Sequence, residues 1–159
     1  MSILETGISI PLFNPDNFAK SNLIKELMMS KVANFVGSDV TYGQCDDVAG
    51  AFTFDSDNTS NSPAPPVKGS DVTLNLAGIV SETIEVSNVH IHVDWNGSTL
   101  YDEDHAQDNT YDSAYNYSLK WAIPSYAPSG AYAVTITGTG NTSSVSSDVV
   151  LCISANFTL

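Results

Sequence analysis

Hydrophobic and polar residues alternate along most of the chain after residue 40. Val72, Leu74 and Leu76 are separated by polar residues. The same pattern recurs in four later segments, 89–95, 119–123, 132–136 and 149–159. Because successive side chains of a strand point to opposite faces, each segment predicts a strand with one buried face. About seven or eight such short strands predict an all-β fold of two antiparallel sheets packed face to face.

Turn-forming residues divide these segments. Asn96-Gly97 follows one alternating run and predicts a tight hairpin. Gly78 predicts the end of a strand, and the glycines of 138–141 predict another turn. The proline-rich segment 55–69 and the acidic segment 102–112 are both predicted to be loops.

The segment 18–36 has a different period. Its hydrophobic residues recur at helical spacing, at Leu23, Ile24, Leu27, Met28, Val32, Phe35 and Val36. The segment therefore predicts an amphipathic helix, whose apolar stripe packs either on the chain's own sandwich or on a protein partner. The chain thus divides into an N-terminal arm, 1–40, and a β-sandwich domain, 41–159.

The charge of the chain excludes some partners. It has 18 acidic residues, 5 lysines and no arginine, which gives a formal net charge of −13. Nucleic acids and anionic membranes are recognised by clustered basic side chains, so neither is an expected partner. The acidic residues are expected to keep a surface rich in Ser and Thr soluble, with a specific basic partner as the alternative.

Two cysteines, Cys45 and Cys152, lie near the two ends of the β-rich region. In an oxidising compartment they are expected to form one disulfide, which would close a long loop. In a reducing compartment they would be two small buried hydrophobic residues.

Other features of the sequence bear on the compartment. Five Asn-x-Ser/Thr sequons favour a secreted glycoprotein, at Asn58, Asn96, Asn116, Asn141 and Asn156. The first residues do not form an intact signal peptide, so either the numbering begins after processing or the protein is not secreted by that route. The expected location is outside the cell or in the endolysosomal lumen.

One alternating run carries side chains that can bind metals. His90, His92 and Asp94 would share one strand face, within reach of a common divalent ion. Ligands in a row on one strand diverge with its twist, and the same pattern is typical of a solvent-facing strand, so no metal site is assigned. The acidic segment 102–112 could gather calcium ligands, but it lacks the spacing of an EF-hand, and a solvated loop is favoured.

The sequence gives no sign of catalysis. It has no Gly-x-Ser-x-Gly elbow and no Gly-rich phosphate loop, and neither cysteine lies near a histidine in sequence. Paired carboxylates are uninformative in so acidic a chain. The protein is therefore expected to be non-enzymatic, without a cofactor.

Two segments carry a specific family resemblance. They are Trp-Ala-Ile-Pro-Ser-Tyr-Ala-Pro-Ser-Gly-Ala-Tyr-Ala-Val-Thr at 121–135 and Leu-Cys-Ile-Ser-Ala-Asn-Phe-Thr-Leu at 151–159. Tyr-Gly-Gln-Cys at 42–45 and Pro-Pro-Val-Lys-Gly at 65–69 support it. The chain from residue 42 onward resembles the ML lipid-recognition family, especially its phosphatidylglycerol/phosphatidylinositol transfer proteins and the Niemann-Pick type C cholesterol carrier.

The resemblance implies an immunoglobulin-like sandwich with an apolar slot for a lipid tail or sterol. Cys45 and Cys152 stand where the family joins its first and last strands. Unlike family members, the chain has no cysteine in the middle segment, about 101–117, that often forms the mouth of the slot. Together with the alternating pattern, the resemblance assigns the following residues to lipid binding: Phe52, Phe54, Leu74, Leu76, Val89, Ile91, Val93, Trp95, Leu119, Trp121, Ile123, Tyr126, Tyr132, Val134, Ile136, Leu151, Ile153 and Phe157.

These observations lead to one expected function and two alternatives. The expected function is non-enzymatic binding or transfer of a lipid, held by an acyl chain or as a sterol. The first alternative is a structural subunit of a larger assembly, with the segment 18–36 as docking arm for a protein partner or a second copy. The second alternative is an adhesion module that depends on divalent ions.

Overall fold

The structure is a computed structural model, and it describes residues 38–45 and 50–159, together with the backbone of 7–10. The predicted helix at 18–36 lies outside the described residues, so the helix and its docking role stay predictions. Within the described part, Ser56–Asn58 forms a short 3-10 helix. None of the helices described there is long and apolar enough to cross a membrane.

The described residues form ten strands in two sheets. The first sheet contains β1 (Gly7–Ile10), β3 (Phe52–Phe54), β4 (Ser60–Ser62), β5 (Asp71–Val80) and β8 (Ala114–Ala122). The second contains β2 (Ser38–Gln44), β6 (Ile84–Trp95), β7 (Ser98–Tyr111), β9 (Ala131–Asn141) and β10 (Asp148–Thr158). The predicted all-β sandwich of two sheets is therefore confirmed.

The strand order places β7 at one edge of the second sheet. The first sheet runs β1-β8-β5-β3, with β4 also paired to β5, and the second runs β2-β10-β9-β6-β7. Pairing is antiparallel except between β1 and β8. Asn96 and Gly97 join β6 to β7 with φ of 46° and 85°. Positive φ at both central residues is the requirement of a tight hairpin turn, so the predicted hairpin is confirmed.

Aromatic side chains from both sheets meet in the interior. The Trp121 ring of β8 lies 5.9 Å from the Phe157 ring of β10. Phe157 in turn stacks on Tyr132 of β9, with ring centroids 5.3 Å apart. Burying a large aromatic side chain removes about 150–250 Å² from water, and at about 25 cal/mol per Å² each contributes several kcal/mol.

The disulfide between Cys45 and Cys152 is confirmed, with an S–S distance of 2.08 Å. It joins the residue after β2 to the middle of β10, and the Cys45 N–H donates to the Cys152 carbonyl at 3.2 Å. The bond closes a sequence separation of 107 residues. In the chain-entropy model a loop of this length contributes about 4 to 5 kcal/mol.

The acidic segment 102–112 is not a loop, contrary to the prediction. Residues up to Tyr111 continue β7, which pairs with β6 along its length. Because β7 is the last strand in the order of its sheet, one of its sides has no neighbour among the described strands. Charged side chains on such an edge deter pairing with other chains, so an acidic composition is compatible with a strand here.

Two glycines predicted to end or turn strands lie inside them instead. β5 continues through Gly78 to Val80, and β9 continues through Gly140 to Asn141. A Cβ on Gly78 would collide with the Phe52 ring, and one on Gly140 would collide with the Glu85 carbonyl. These glycines therefore permit close packing between neighbouring segments. In the sequence alone, a glycine with this role cannot be told from one that ends a strand.

Candidate functional site

Most residues assigned to the lipid slot are buried between the sheets. Phe54 is partly buried, and the fully buried ones are Phe52, Leu74, Leu76, Val89, Ile91, Val93, Trp95, Leu119, Trp121, Ile123, Tyr132, Val134, Ile136, Leu151, Ile153 and Phe157. Tyr126 is 63% exposed, so it does not line the interior, contrary to the prediction. It lies in a turn, where the alternation of a strand no longer sets the direction of side chains. A role of the buried residues in lipid binding stays a prediction.

At one end of the interior, the polar atoms of the buried aromatic residues have partners. The Trp95 indole N–H donates to the Ser129 carbonyl at 3.0 Å. The Tyr132 hydroxyl donates to the Pro128 carbonyl at 2.6 Å. Lys68 Nζ also donates to Ser129 Oγ, at 2.5 Å. The turn that carries Pro128 and Ser129 therefore covers this end of the sandwich.

Elsewhere in the interior, four buried polar atoms have no partner in hydrogen-bond geometry among the described residues. They are the hydroxyls of Tyr111, Tyr115 and Tyr117 and the indole N–H of Trp121. The rings of Tyr111 and Tyr115 lie 4.8 Å apart, and those of Tyr115 and Tyr117 lie 6.2 Å apart. Because buried polar groups in folded proteins are nearly always hydrogen-bonded, these atoms mark a place for the polar group of a guest molecule or for water.

The interior-facing side of β7 is mostly polar. β6 pairs Val89 with His105, and because Val89 points into the core, so does His105. The residues on this face follow each other at every second position: Tyr101, Glu103, His105, Gln107, Asn109 and Tyr111. Together with Tyr115 and Tyr117 of β8 they form one side of the sandwich, named here the tyrosine edge.

The phenols of the tyrosine edge are neutral hydrogen-bond donors at neutral pH. Burial raises the pKa of Tyr115 well above its usual value, and Tyr111 and Tyr117 add to the shift. Burial also raises the pKa of Tyr117 and Tyr111, although the nearby amides of Gln107 and Asn109 partly oppose it. Neither amide stands in hydrogen-bond geometry with its phenol.

Among the described residues, no lysine belongs to the tyrosine edge. Lys68 is held by Ser129 at the covered end. Lys120 lies on the other face of β8 and pairs with Asp71 at 3.1 Å. The acidic side chain of the edge is Glu103, so this edge suits an uncharged polar group better than a phosphate.

The outer face of β6 and β7 carries a second cluster. His90 Nε2 and Nδ1 lie 2.6 Å and 2.8 Å from carboxylate oxygens of Asp102 and Asp104. His92 Nδ1 and Nε2 lie 2.8 Å and 2.9 Å from Asp102 and Asp94. The group suggested by the sequence, His90, His92 and Asp94, does not converge on one point. Asp102 of the neighbouring strand lies between the two rings, and Asp94 lies on the far side of His92.

The carboxylates shift the ionisation of this cluster. Burial alone lowers the pKa of His92, but hydrogen bonds to Asp102 and Asp94 and the charges of both raise it overall. Hydrogen bonds from Asn88 and His90 lower the pKa of Asp104. Both shifts favour positive charge next to ionised carboxylates.

Comparison with known proteins gives one informative relative. No family model matches the chain. A Dictyostelium discoideum protein, provisionally named a phosphatidylglycerol/phosphatidylinositol transfer protein, is 34% identical over 98 residues, which cover 55% of this chain and 70% of the relative.

Solved structures resemble the chain only weakly. A protein from Archaeoglobus fulgidus has a TM-score of 0.38 at 14% identity, over 78% of this chain and 98% of its own. Chicken MD-1 complexed with lipid IVa has a TM-score of 0.36 at 15% identity, over 75% of this chain and 88% of its own. Likenesses at this level do not indicate a shared function.

The fold and the interior define the class of protein, an all-β sandwich domain with one disulfide between its first and last long strands. The sequence relative shows which family within this class the chain belongs to. At 34% identity over 70% of the relative, the chain belongs to the ML lipid-recognition family, in the group of the phosphatidylglycerol/phosphatidylinositol transfer proteins. The resemblance carried by the sequence motifs is thus confirmed.

Sequence reasoning missed the tyrosines of the edge. The alternation of Leu119 and Trp121 extends backward to Tyr117 and Tyr115. That extension was the available signal. It was obscured because the preceding acidic segment resembled a loop.

Proposed function

We propose that this protein binds a lipid non-covalently between its two sheets, with the lipid's polar group at the tyrosine edge. Membership of a family whose relative is named for lipid transfer supports the ligand class. The aromatic and aliphatic interior supports the location. No step of this function requires covalent chemistry.

The observation that carries the proposal is the set of buried hydroxyls on Tyr111, Tyr115 and Tyr117, which have no hydrogen-bond partner in the part of the chain that the structure describes. Leaving a buried polar group without a hydrogen bond costs about 1 to 3 kcal/mol. At the covered end, Trp95 and Tyr132 avoid that cost through backbone carbonyls. At the tyrosine edge, a bound lipid whose polar group forms hydrogen bonds with these hydroxyls would remove that cost.

The chemistry of the edge favours a particular kind of lipid. Phenol hydroxyls and amide groups donate to and accept from hydroxyls and ester carbonyls. Because Glu103 carries a negative charge on the same side of β7, a phosphate would meet repulsion there. The proposed ligand therefore presents a hydroxyl or ester to the tyrosines, and any phosphate remains in solvent.

The hydrophobic contribution is large enough for reversible binding. Burying roughly 300 Å² of tail at about 25 cal/mol per Å² contributes several kcal/mol before ordering costs are subtracted. Binding of this size permits both uptake and release.

The test uses delipidated full-length protein and fluorescent analogues of a sterol, a fatty acid and phosphatidylglycerol. The Tyr115→Phe/Tyr117→Phe double variant keeps both rings and removes both hydroxyls. We expect it to bind the sterol analogue about 30-fold more weakly, since it loses two hydrogen bonds and each contributes about 1 kcal/mol. Tyr132→Phe is the matched control, because its hydroxyl already bonds the Pro128 carbonyl. Its affinity is expected to stay close to that of the wild type.

Two results would contradict the proposal at different levels. Failure of all three analogues to bind would rule out lipid binding. Uptake that is identical in the wild type and in the double variant would keep lipid binding but place the polar group away from the tyrosines.

We further propose that the protein works in an oxidising compartment, outside the cell or in the endolysosomal lumen. The disulfide between Cys45 and Cys152 supports this. Four of the five sequon asparagines are exposed and Asn141 is half-buried, which leaves glycosylation sterically open at Asn58, Asn96, Asn116 and Asn156. The intact mass of protein from its source measures both modifications.

A further inference from the structure

In the cluster on the outer face of β6 and β7, each histidine ring lies between two carboxylates. Asp102 lies between His90 Nε2 and His92 Nδ1, at 2.6 Å and 2.8 Å. The other nitrogen of each ring contacts a second carboxylate, Asp104 for His90 and Asp94 for His92.

The second carboxylates are themselves held in place. The Asn88 amide donates to Asp104 at 2.9 Å, and the Thr99 hydroxyl donates to Asp94 at 3.2 Å. Each imidazole is therefore oriented by a carboxylate that has its own hydrogen-bond partner.

The hydrogen-bond valence of this arrangement calls for positive charge at its centre. A neutral imidazole has one N–H donor and one lone pair, whereas an ionised carboxylate only accepts. Both nitrogens of His90 and of His92 face carboxylate oxygens within 2.9 Å. If each ring donates outward to Asp104 or Asp94, its inner lone pair faces an oxygen of Asp102. A second N–H on each ring, or a positive ion between these atoms, removes the repulsion.

We propose that His90 Nε2, His92 Nδ1 and the Asp102 carboxylate bind a divalent transition-metal ion of the zinc type. Asp104 and Asp94 would act as outer carboxylates that fix the tautomer and direction of each ring, a common arrangement around metal-bound histidines. The site lies on the solvent side of the second sheet and is independent of the proposed lipid function.

The backbone places these ligands at suitable spacing. His90 and His92 point to the same face because they are two residues apart on β6, and β7 places Asp102 directly opposite His92. Ligand atoms from the three residues all lie within 4.8 Å of one another. Ligands of tetrahedral zinc, with bonds of about 2.0 Å, stand about 3.3 Å apart, so small side-chain rotations are sufficient.

The donor set favours zinc or copper over calcium or magnesium. Two imidazoles and one carboxylate suit borderline transition ions, whereas calcium requires six to eight oxygen ligands. The side chains of His90, His92 and Asp102 are 35%, 30% and 46% exposed, so an ion can enter and keep a water molecule in its fourth position. The net charge of −13 also attracts cations.

The test is zinc titration of full-length protein without a histidine tag, by calorimetry and by thermal unfolding. We expect one zinc ion per chain and a higher melting temperature, because the ion would link edge strand β7 to β6. Chelator should reverse both effects. His90→Gln and His92→Gln should each weaken zinc binding by at least about tenfold, since even outer-shell changes cost about 10- to 100-fold.

The chain offers a matched control in its third histidine. His105 lies on β7 but on the inward face, where it contacts the Tyr101 hydroxyl at 2.8 Å. His105→Gln removes one imidazole without touching the cluster and should leave zinc affinity unchanged. Asp94→Asn should weaken binding less than the loss of either ligand histidine.

Imidazole NMR signals provide a readout that does not depend on stability. Zinc should shift the signals of His90 and His92 and leave those of His105 in place. Absence of zinc binding, or binding that the His90→Gln/His92→Gln double variant retains in full, would overturn the proposal. Equal loss in His105→Gln would do the same.

Discussion

The buried aromatic side chains of the interior fall into two groups, which differ in the hydrogen bonding of their polar atoms. Trp95 and Tyr132 donate to backbone carbonyls. The buried hydroxyls of Tyr111, Tyr115 and Tyr117 have no partner in hydrogen-bond geometry within residues 38–45 and 50–159. All are aromatic residues with a polar tip in the same core. The difference lies in what the neighbouring backbone offers, which residue type alone does not reveal.

The unpartnered hydroxyls lead to a stability prediction for delipidated protein. Tyr115→Phe should leave the free energy of unfolding unchanged or raise it by about 1 kcal/mol, because it removes a buried group that makes no hydrogen bond. Tyr132→Phe should lower it by about 1 kcal/mol, because the Pro128 carbonyl loses its donor. Urea unfolding measures both. A comparable loss in Tyr115→Phe would mean that its hydroxyl has a partner.

Strands were predictable where one face of a segment is apolar and the other is polar. Alternation correctly indicated the cores of β5, β6, β8, β9 and β10, and Asn96-Gly97 indicated the hairpin. The part of β7 after Tyr101 was not predicted as a strand, because its inward face carries Glu103, His105 and Gln107. Its strand conformation follows from pairing with β6, a long-range contact that local sequence does not contain.

The candidate site was predictable to the same extent as the strands, only where local sequence determines it. The apolar lining could be inferred from alternation, whereas the tyrosine edge required knowing that β7 and β8 face each other across the sandwich. The metal cluster also joins two strands, so the sequence grouped Asp94 with the histidines and missed Asp102.

The close approach of β9 to β6 leads to a prediction about folding. Gly140→Ala should prevent stable folding, because its Cβ would collide with the Glu85 carbonyl, and backbone atoms move only with the strand. Gly50→Ala is the matched control, because a Cβ there meets no atom of the described residues within 4 Å. Circular dichroism and the soluble yield of both variants provide the measurement. A folded Gly140→Ala protein with unchanged stability would show that β6 and β9 can separate.

The whole molecule holds buried phenols in both sheets and should therefore be sensitive to alkali. Burial raises the pKa of Tyr101 to about 12 and raises the pKa values of Tyr42, Tyr115 and Tyr132 as well. In the unfolded chain these phenols lose protons near their usual pKa of about 10. Above that pH the folded state binds more protons than the unfolded state, so stability falls as pH rises.

The measurement is urea unfolding at neutral pH and at several pH values above 10, with phenolate absorbance at 295 nm. We expect the free energy of unfolding to decline steadily above pH 10 and most of the absorbance to rise together with unfolding. Tyr115→Phe should reduce the decline. A stability that stays constant to pH 12 would contradict the burial of these phenols.

The alternation of β7 restricts how this strand can change in length during evolution. Between Tyr101 and Ala106 the register with β6 is unbroken, so neighbouring residues serve opposite faces. Inserting or deleting one residue there would turn the aspartates toward the core and the inward residues toward solvent. A change of two residues would restore both faces. Relatives whose β7 differs in length without an added β-bulge should therefore differ by even numbers of residues.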